Sequence, residues 1–196
     1  MLSSLCSVST SITGITTAGR IPTLLRPSPT ASYESALGEK TSFTPQIIVD
    51  GTQQIRLKET QDQITGQLQK AATDPKLSVR IGEVTIDGAN PPSLHVHVET
   101  DENSGKHNAE VYVAVALNRF ESQVLRGENG GKHLVHVAVV QELTRVGKLP
   151  KGKNFAQDVS VRLKPGIDAK NMRLVAFVQE PGPGKILGVA MRQPGN

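Results

Sequence analysis

The chain has 196 residues, a formal net charge of +4 and 37% hydrophobic residues, with four Phe, two Tyr and no Trp. This is a globular composition, sufficient for one generous domain or two small ones, whose core must be built from Val, Leu, Ile and Ala and therefore favours strands. Its one cysteine, Cys6, excludes an intrachain disulfide, a Cys-x-x-Cys dithiol and a four-cysteine zinc site.

Charge is unevenly placed. From Thr144 onward ten Lys and Arg stand against three Asp and Glu, so this region carries the basic excess and the preceding part is net acidic. A basic region can meet an anionic partner. Here the basic residues are spread singly through strands and turns, and aromatics able to stack on bases are nearly absent, so an ordinary solvated face is expected and nucleic acid is not a predicted partner.

In chain order, residues 1–32 are rich in Ser, Thr and Pro, include Arg20 and Arg26, and have no acidic residue, which precedes the first acid at Glu34. Such a segment reads as a disordered leader and makes a poor secretory signal, because hydroxyl residues interrupt every apolar run. No stretch reaches the roughly 18 apolar residues of a membrane span. In residues 33–74, ASYESALG reads as a helix end stopped by Gly38, and TPQIIVDG as a strand closed by the turn pair Asp50-Gly51. QQIRL supplies a return strand, and KETQDQITGQLQKAATDP a helix with Ile64, Leu68 and Ala71 on one face, ended by Asp74-Pro75.

Residues 77–192 repeat one signal. LSVRIGEVTI, SLHVHVET, AEVYVAVAL, SQVLRG, HLVHVAVVQEL, FAQDVSVRL, MRLVAFVQ and ILGVAMR are strand-like and are separated by Gly, Pro and Asn turns. Short strands so punctuated predict a β-sandwich of about seven or eight strands with no helix required.

Chemical motifs are few. RGENGGKH fails as a phosphate loop: three residues, not four, separate Gly127 from Gly-Lys, His133 stands where Ser or Thr must reach magnesium, and a strand follows. EPGPGK, residues 180–185, is a hairpin turn. His95 and His97 alternate on one strand and so share a face; with His133 and His136 on another strand they could hold a metal if the strands were neighbours. No acid or thiol joins them at ligand spacing, and two polar residues on a solvent face is the simpler reading. No nucleophile elbow or Cys–His arrangement is present, and Asp101 and Glu102 sit in a turn-rich loop. No cofactor is expected.

Three stretches taken in order, SYESALGEKTSFTPQIIVDG, ESQVLRGENGGKHLVHVAVVQELTRVGK and MRLVAFVQEPGPGKILGVAMR, resemble the bacterial domain-of-unknown-function family twelve-twenty-three. The resemblance implies a thioredoxin-like N-terminal part and a β-rich C-terminal part in a secreted protein. It explains a proline at the head of a strand: Pro45, preceded by Thr44, matches the cis-proline that opens a central thioredoxin strand and faces the catalytic dithiol. Family members carry a Cys-x-x-Cys on an upstream strand-to-helix turn, where a helix N-terminus activates the thiol. No such segment stands before Tyr33 in this chain, and dithiol exchange needs two thiols. The segment 33–74 is therefore expected to be a partial thioredoxin-like remnant with an open strand edge, covered by the sandwich or by a partner chain, unless the true start lies upstream.

Arg126, Gly127, Glu128, Asn129, Gly130 and His136 match the family's second recurring motif, of unknown role. As a turn, GENGG requires positive φ at one or more glycines, and Arg126 can pair with Glu128 across it; a structural hairpin that also meets the thioredoxin-like part is expected. The fold expectation is thus mainly β, a β-sandwich preceded by that remnant. The functional expectation is a non-catalytic binding module with a protein or peptide partner, periplasmic or extracellular by resemblance. The alternatives are a thiol-disulfide oxidoreductase whose dithiol lies upstream, and a histidine-based metal binder using His95 and His97.

Overall fold

The computed structural model describes residues 47–55, 59–127 and 130–194. The leader at 1–32, the helix end before Gly38, and Thr44 with Pro45 lie outside the described residues, as do Glu128 and Asn129.

Seven antiparallel strands form the sandwich. One sheet holds β3 (Val79–Ile86), β4 (Ser93–Thr100) and β7 (Phe155–Arg162) in the order β3-β4-β7. The other holds β5 (Ala109–Gln123), β6 (His133–Leu149), β8 (Met172–Gln179) and β9 (Ile186–Arg192) in the order β6-β5-β8-β9. The chain therefore changes sheets after β4, β6 and β7, a Greek-key pattern. It is the partition of immunoglobulin-like sandwiches, with the fourth strand moved to the sheet of the third, sixth and seventh.

Alternation builds the core. Leu94, Val96 and Val98 on β4, Val159 and Val161 on β7, Val111, Val113 and Val115 on β5, and Leu174, Ala176 and Val178 on β8 face one another in a single buried cluster. Residues two apart share a strand face, so each Val-x-Val run presents a continuous apolar row, and each fully buried Val or Leu contributes about 1.5–3 kcal/mol of transfer free energy. Phe155 is the aromatic of this cluster, and its ring packs against Gly147, where a Cβ would stand 2.3 Å from Cε2. That contact seals β7 against the end of β6.

The crossover after β4 is held by buried Asn103. Its side-chain amide donates to the carbonyls of His107 at 3.0 Å and Leu149 at 3.2 Å, and its Oδ1 accepts from Gly105 N–H at 3.0 Å. A loop side chain thus satisfies three backbone groups that a sheet ladder cannot reach.

Before the sandwich, β1 (Ile47–Val49) and β2 (Gln53–Ile55) form a hairpin, followed by α1 (Gln61–Thr73). Asp50 and Gly51 both adopt positive φ, at 55° and 77°, and Thr52 N–H donates to Val49 C=O at 3.2 Å, the turn geometry that matches the twist of a hairpin. Thr60 caps α1 in a reciprocal box with Gln63, and Asp74 ends it ahead of Pro75. Ile64, Leu68 and Ala71 share one half-buried face as their spacing predicts, but α1 buries no residue fully.

This segment docks on the β8–β9 turn. Ile186 N–H donates to Asp50 C=O at 3.0 Å, and Lys76 bridges the Asp50 carboxylate and Ile186 C=O. A Cβ on Gly51 would lie 2.2 Å from Gly184 O, so this approach requires glycine. Lys185 reaches Asp74 at 2.9 Å, and Leu77 N–H donates to Leu187 C=O at 2.7 Å. EPGPGK, which sequence reads as a hairpin turn alone, is also the seat for the preceding segment.

Candidate interaction site

β5 and β6 are the longest strands, at 15 and 17 residues. SQVLRG does not form a strand of its own: Ser122 and Gln123 continue β5 without a break, because Arg119 and the residues after it keep pairing with β6. β8 supports β5 only from Glu110 to Leu117, whereas β6 pairs with β5 as far as Gln123–His133. Beyond Leu117 the two strands therefore leave the body of the sheet as a two-stranded arm.

The arm carries apolar side chains into water. Val137 is 73% exposed, Val135 49% and Phe120 43%, and Leu125 near the tip is 84% exposed. Val135 and Val137 share the face of Arg119, Glu121 and His133, since Glu121 pairs with Val135 and Arg119 with Val137. Phe120, Ser122, Leu134 and His136 share the other. On the first face Arg119 and His133 both reach Glu121, at 2.7 and 3.0 Å, and the Arg119 guanidinium, with a smaller contribution from His133, holds the Glu121 carboxyl below its usual range. On the second, Ser122 Oγ lies 2.9 Å from His136 Nε2 and the Phe120 ring stands 6.0 Å from the imidazole.

The tip is a closed turn. Gly127 and Gly131 have φ of 88° and 80°, as the glycine-rich sequence requires, and Gly130 N–H donates to Gly127 C=O at 2.8 Å. Arg126, Gly127 and Gly130 thus sit at the far end of the arm and His136 on its flank. The described segment 47–76 docks at the opposite end of the sheet, beside Gln179, which pairs with Glu110 at the start of β5. The described part of the tip therefore does not meet the described part of that segment.

The histidines do not converge. His95 and His97 do share the solvent face of β4, but β4 lies in the three-stranded sheet while His133 and His136 lie on an edge strand of the other. His95 pairs with Asp87 at 3.2 Å. His97 Nδ1 lies 2.6 Å from Asp158 and its Nε2 3.4 Å from Glu99, and the Asp158 carboxylate raises the imidazole pKa above its usual value. With Glu83, Thr85 and Ser160 they line a shallow depression on the outer face of that sheet. Among the described residues no group of three His, Cys, Asp or Glu is placed to hold a metal ion. Asp101 binds Arg80 at 2.7 Å, as a solvated loop carboxylate would.

The exposed arm was not visible as a site in the sequence. Besides the motif from Arg126 to His136, its signal in composition is the run HLVHVAVVQ, nine residues without a formal charge at the start of the strand that follows a glycine-rich turn.

A model of a protein family of unknown function, DUF1223, matches residues 30–179. No curated protein matches the chain. Among solved structures, HBP35 of Porphyromonas gingivalis is similar at 14% identity and a TM-score of 0.60, covering 85% of this chain and 57% of that one. The present chain thus spans little more than half of that protein's length, and the likeness is one of fold. A β-glucosidase from Kluyveromyces marxianus aligns at 15% identity over 61% of this chain and 14% of that one, with a TM-score of only 0.27. With the matched region reaching from before Tyr33 to the end of β8, the chain belongs to the DUF1223 family of proteins of unknown function.

Proposed function

We propose that this chain is a non-catalytic binding module whose contact element is the β5–β6 arm. The observation that carries the reading is the exposure of Phe120, Val135 and Val137 on a two-stranded extension with no third described strand beneath it. A two-stranded ribbon is marginal in water, and grouped exposed apolar side chains mark contact surfaces. The sandwich supplies a rigid base for it, since the body of β5 is sealed between β6 and β8.

A catalytic reading has less support. Ser122 and His136 are within hydrogen-bond reach, but no third described group orients the imidazole, and the pair stands on the flank of a ribbon. Thiol exchange within the chain is barred by its single cysteine. A protein or peptide partner fits valine and phenylalanine contacts better than nucleic acid does. Location in the periplasm or outside the cell belongs to the same proposal and rests on the family resemblance; release by osmotic shock in cell fractionation tests it.

Site-specific photo-crosslinking tests the module. With p-benzoylphenylalanine at position 137, irradiation of the native cells is expected to give discrete protein adducts, and at position 158 on the opposite sheet none. Adducts from position 158 alone, or from neither, would overturn the reading.

A further inference from the structure

β6 is an edge strand, and over its first half nothing described pairs with its outer side. Natural sheets protect such edges with charges. The other edge strands of this sandwich carry them: Arg80 and Glu83 on β3, Asp158 and Arg162 on β7, Arg192 on β9. β6 has no Lys, Arg, Asp or Glu from His133 to Gln141. Ala138 adopts a left-handed φ of 54° inside the strand, so the stretch of the uncharged edge with extended backbone ahead of it is the run His133–Val137.

What can pair there is limited by charge. A strand bearing charges finds no carboxylate, ammonium or guanidinium on this run to pair with. A second copy of the same run brings none, and a twofold axis between two antiparallel edges sets each residue against a position that the copy already satisfies. Resting on the binding-module reading, we propose that two copies of this chain pair antiparallel along His133–Val137, about a twofold axis at Val135, joining two arms into one four-stranded ribbon. In this register Val135 faces its own counterpart, Leu134 faces His136, and His133 faces Val137. Each arm then gains the third strand it lacks. Five strand residues per copy make a small interface, at the low end of stable association, so the dimer is expected to form at about 10–100 micromolar chain.

Sedimentation velocity on the full chain, from about 5 to 200 micromolar, tests this. The wild type is expected to shift from monomer to dimer across that range, while Val135→Lys stays monomeric because two ammonium groups meet on the axis. Mixing Val135→Lys with Val135→Glu is expected to restore a dimer at least tenfold tighter than either variant alone, since only a twofold at this residue places the two side chains together. Should Val135→Lys unfold by circular dichroism, Val137→Lys, at a more exposed position, replaces it and is likewise expected to stay monomeric. A wild type that remains monomeric throughout, a lysine variant that dimerises as the wild type does, or a mixture that gains nothing would overturn the pairing. Adducts from position 137 with a different protein, together with a monomeric wild type, would overturn the pairing and leave the binding module standing.

Discussion

The body of the β5 strand and its outer third differ in one respect, the presence of β8. From Glu110 to Leu117 β5 has neighbours on both sides and a facing sheet, and Val111, Val113 and Val115 are fully buried. From Asn118 to Gln123 β6 is its one described strand neighbour, with Asn171 bonded to the Arg119 backbone at the base, and Phe120 on one face and Val135 and Val137 on the other emerge into solvent. Similar residue types thus serve opposite ends: a valine is core where two sheets meet, and contact surface where the sheet runs past its partner.

That contrast can be broken most forcefully in the body. Leu174→Ala removes a fully buried side chain between the sheets and is expected to cost about 2–5 kcal/mol, measured by urea unfolding. Gly147→Val drives a side chain into the Phe155 ring and is expected to cost about 1–3 kcal/mol, with repair by a second change, Phe155→Leu, that makes room. At the junction with the preceding segment, Lys76→Met leaves the Asp50 carboxylate, nearly buried, without its cation. The loss expected is about 1–3 kcal/mol, together with faster amide exchange at Ile186, whose N–H donates to Asp50 C=O.

The arm should respond in the opposite manner. Val137→Ala is expected to change stability by less than about 0.5 kcal/mol, and amides of residues 118–123 should exchange well ahead of those in β8, since local opening there exposes no core. Equal protection of arm and body at a dilution where the chain is monomeric would show that the arm is not separately labile. The smallest effect is electrostatic. Asp158 raises the His97 pKa, so the contribution of that pair is complete below the ordinary histidine value of about 6.5 and is lost as pH rises through the elevated folded value. Asp158→Asn should bring the His97 titration down, read by NMR of the imidazole protons, with little change in melting temperature because both groups are exposed.

Much of the fold was legible. Val-x-Val alternation in SLHVHVET, AEVYVAVAL and FAQDVSVRL marks strands with one buried face, and Asp50-Gly51 marks a hairpin, because both signals depend on a residue and its near neighbours. SQVLRG was misread as a separate strand. β5 runs on into it as far as Gln123, where Ser122 and Gln123 pair with Leu134 and His133, and the strand ends there. His95 and His97 were correctly placed on one face, yet whether His133 and His136 could join them depended on sheet assignment, which alternation does not encode. The single case where composition hinted at the arm, the uncharged run in β6, reads equally well as an interior strand until its neighbours are counted.

The sequence by itself determined most of the strand segments, the apolar side of each, the glycine- and proline-rich turns between them, and that a dithiol cannot form from the one cysteine of this chain. These follow from local sterics, from a side-chain period of two, and from the count of thiols. Only the tertiary structure decided that β8 stops short of the full length of β5, that EPGPGK seats the β1–β2 turn, and that the histidine pairs fall on different sheets. Each of these is a contact between segments distant along the chain, fixed by register and by the packing of two sheets, and no short stretch of sequence contains both of its halves.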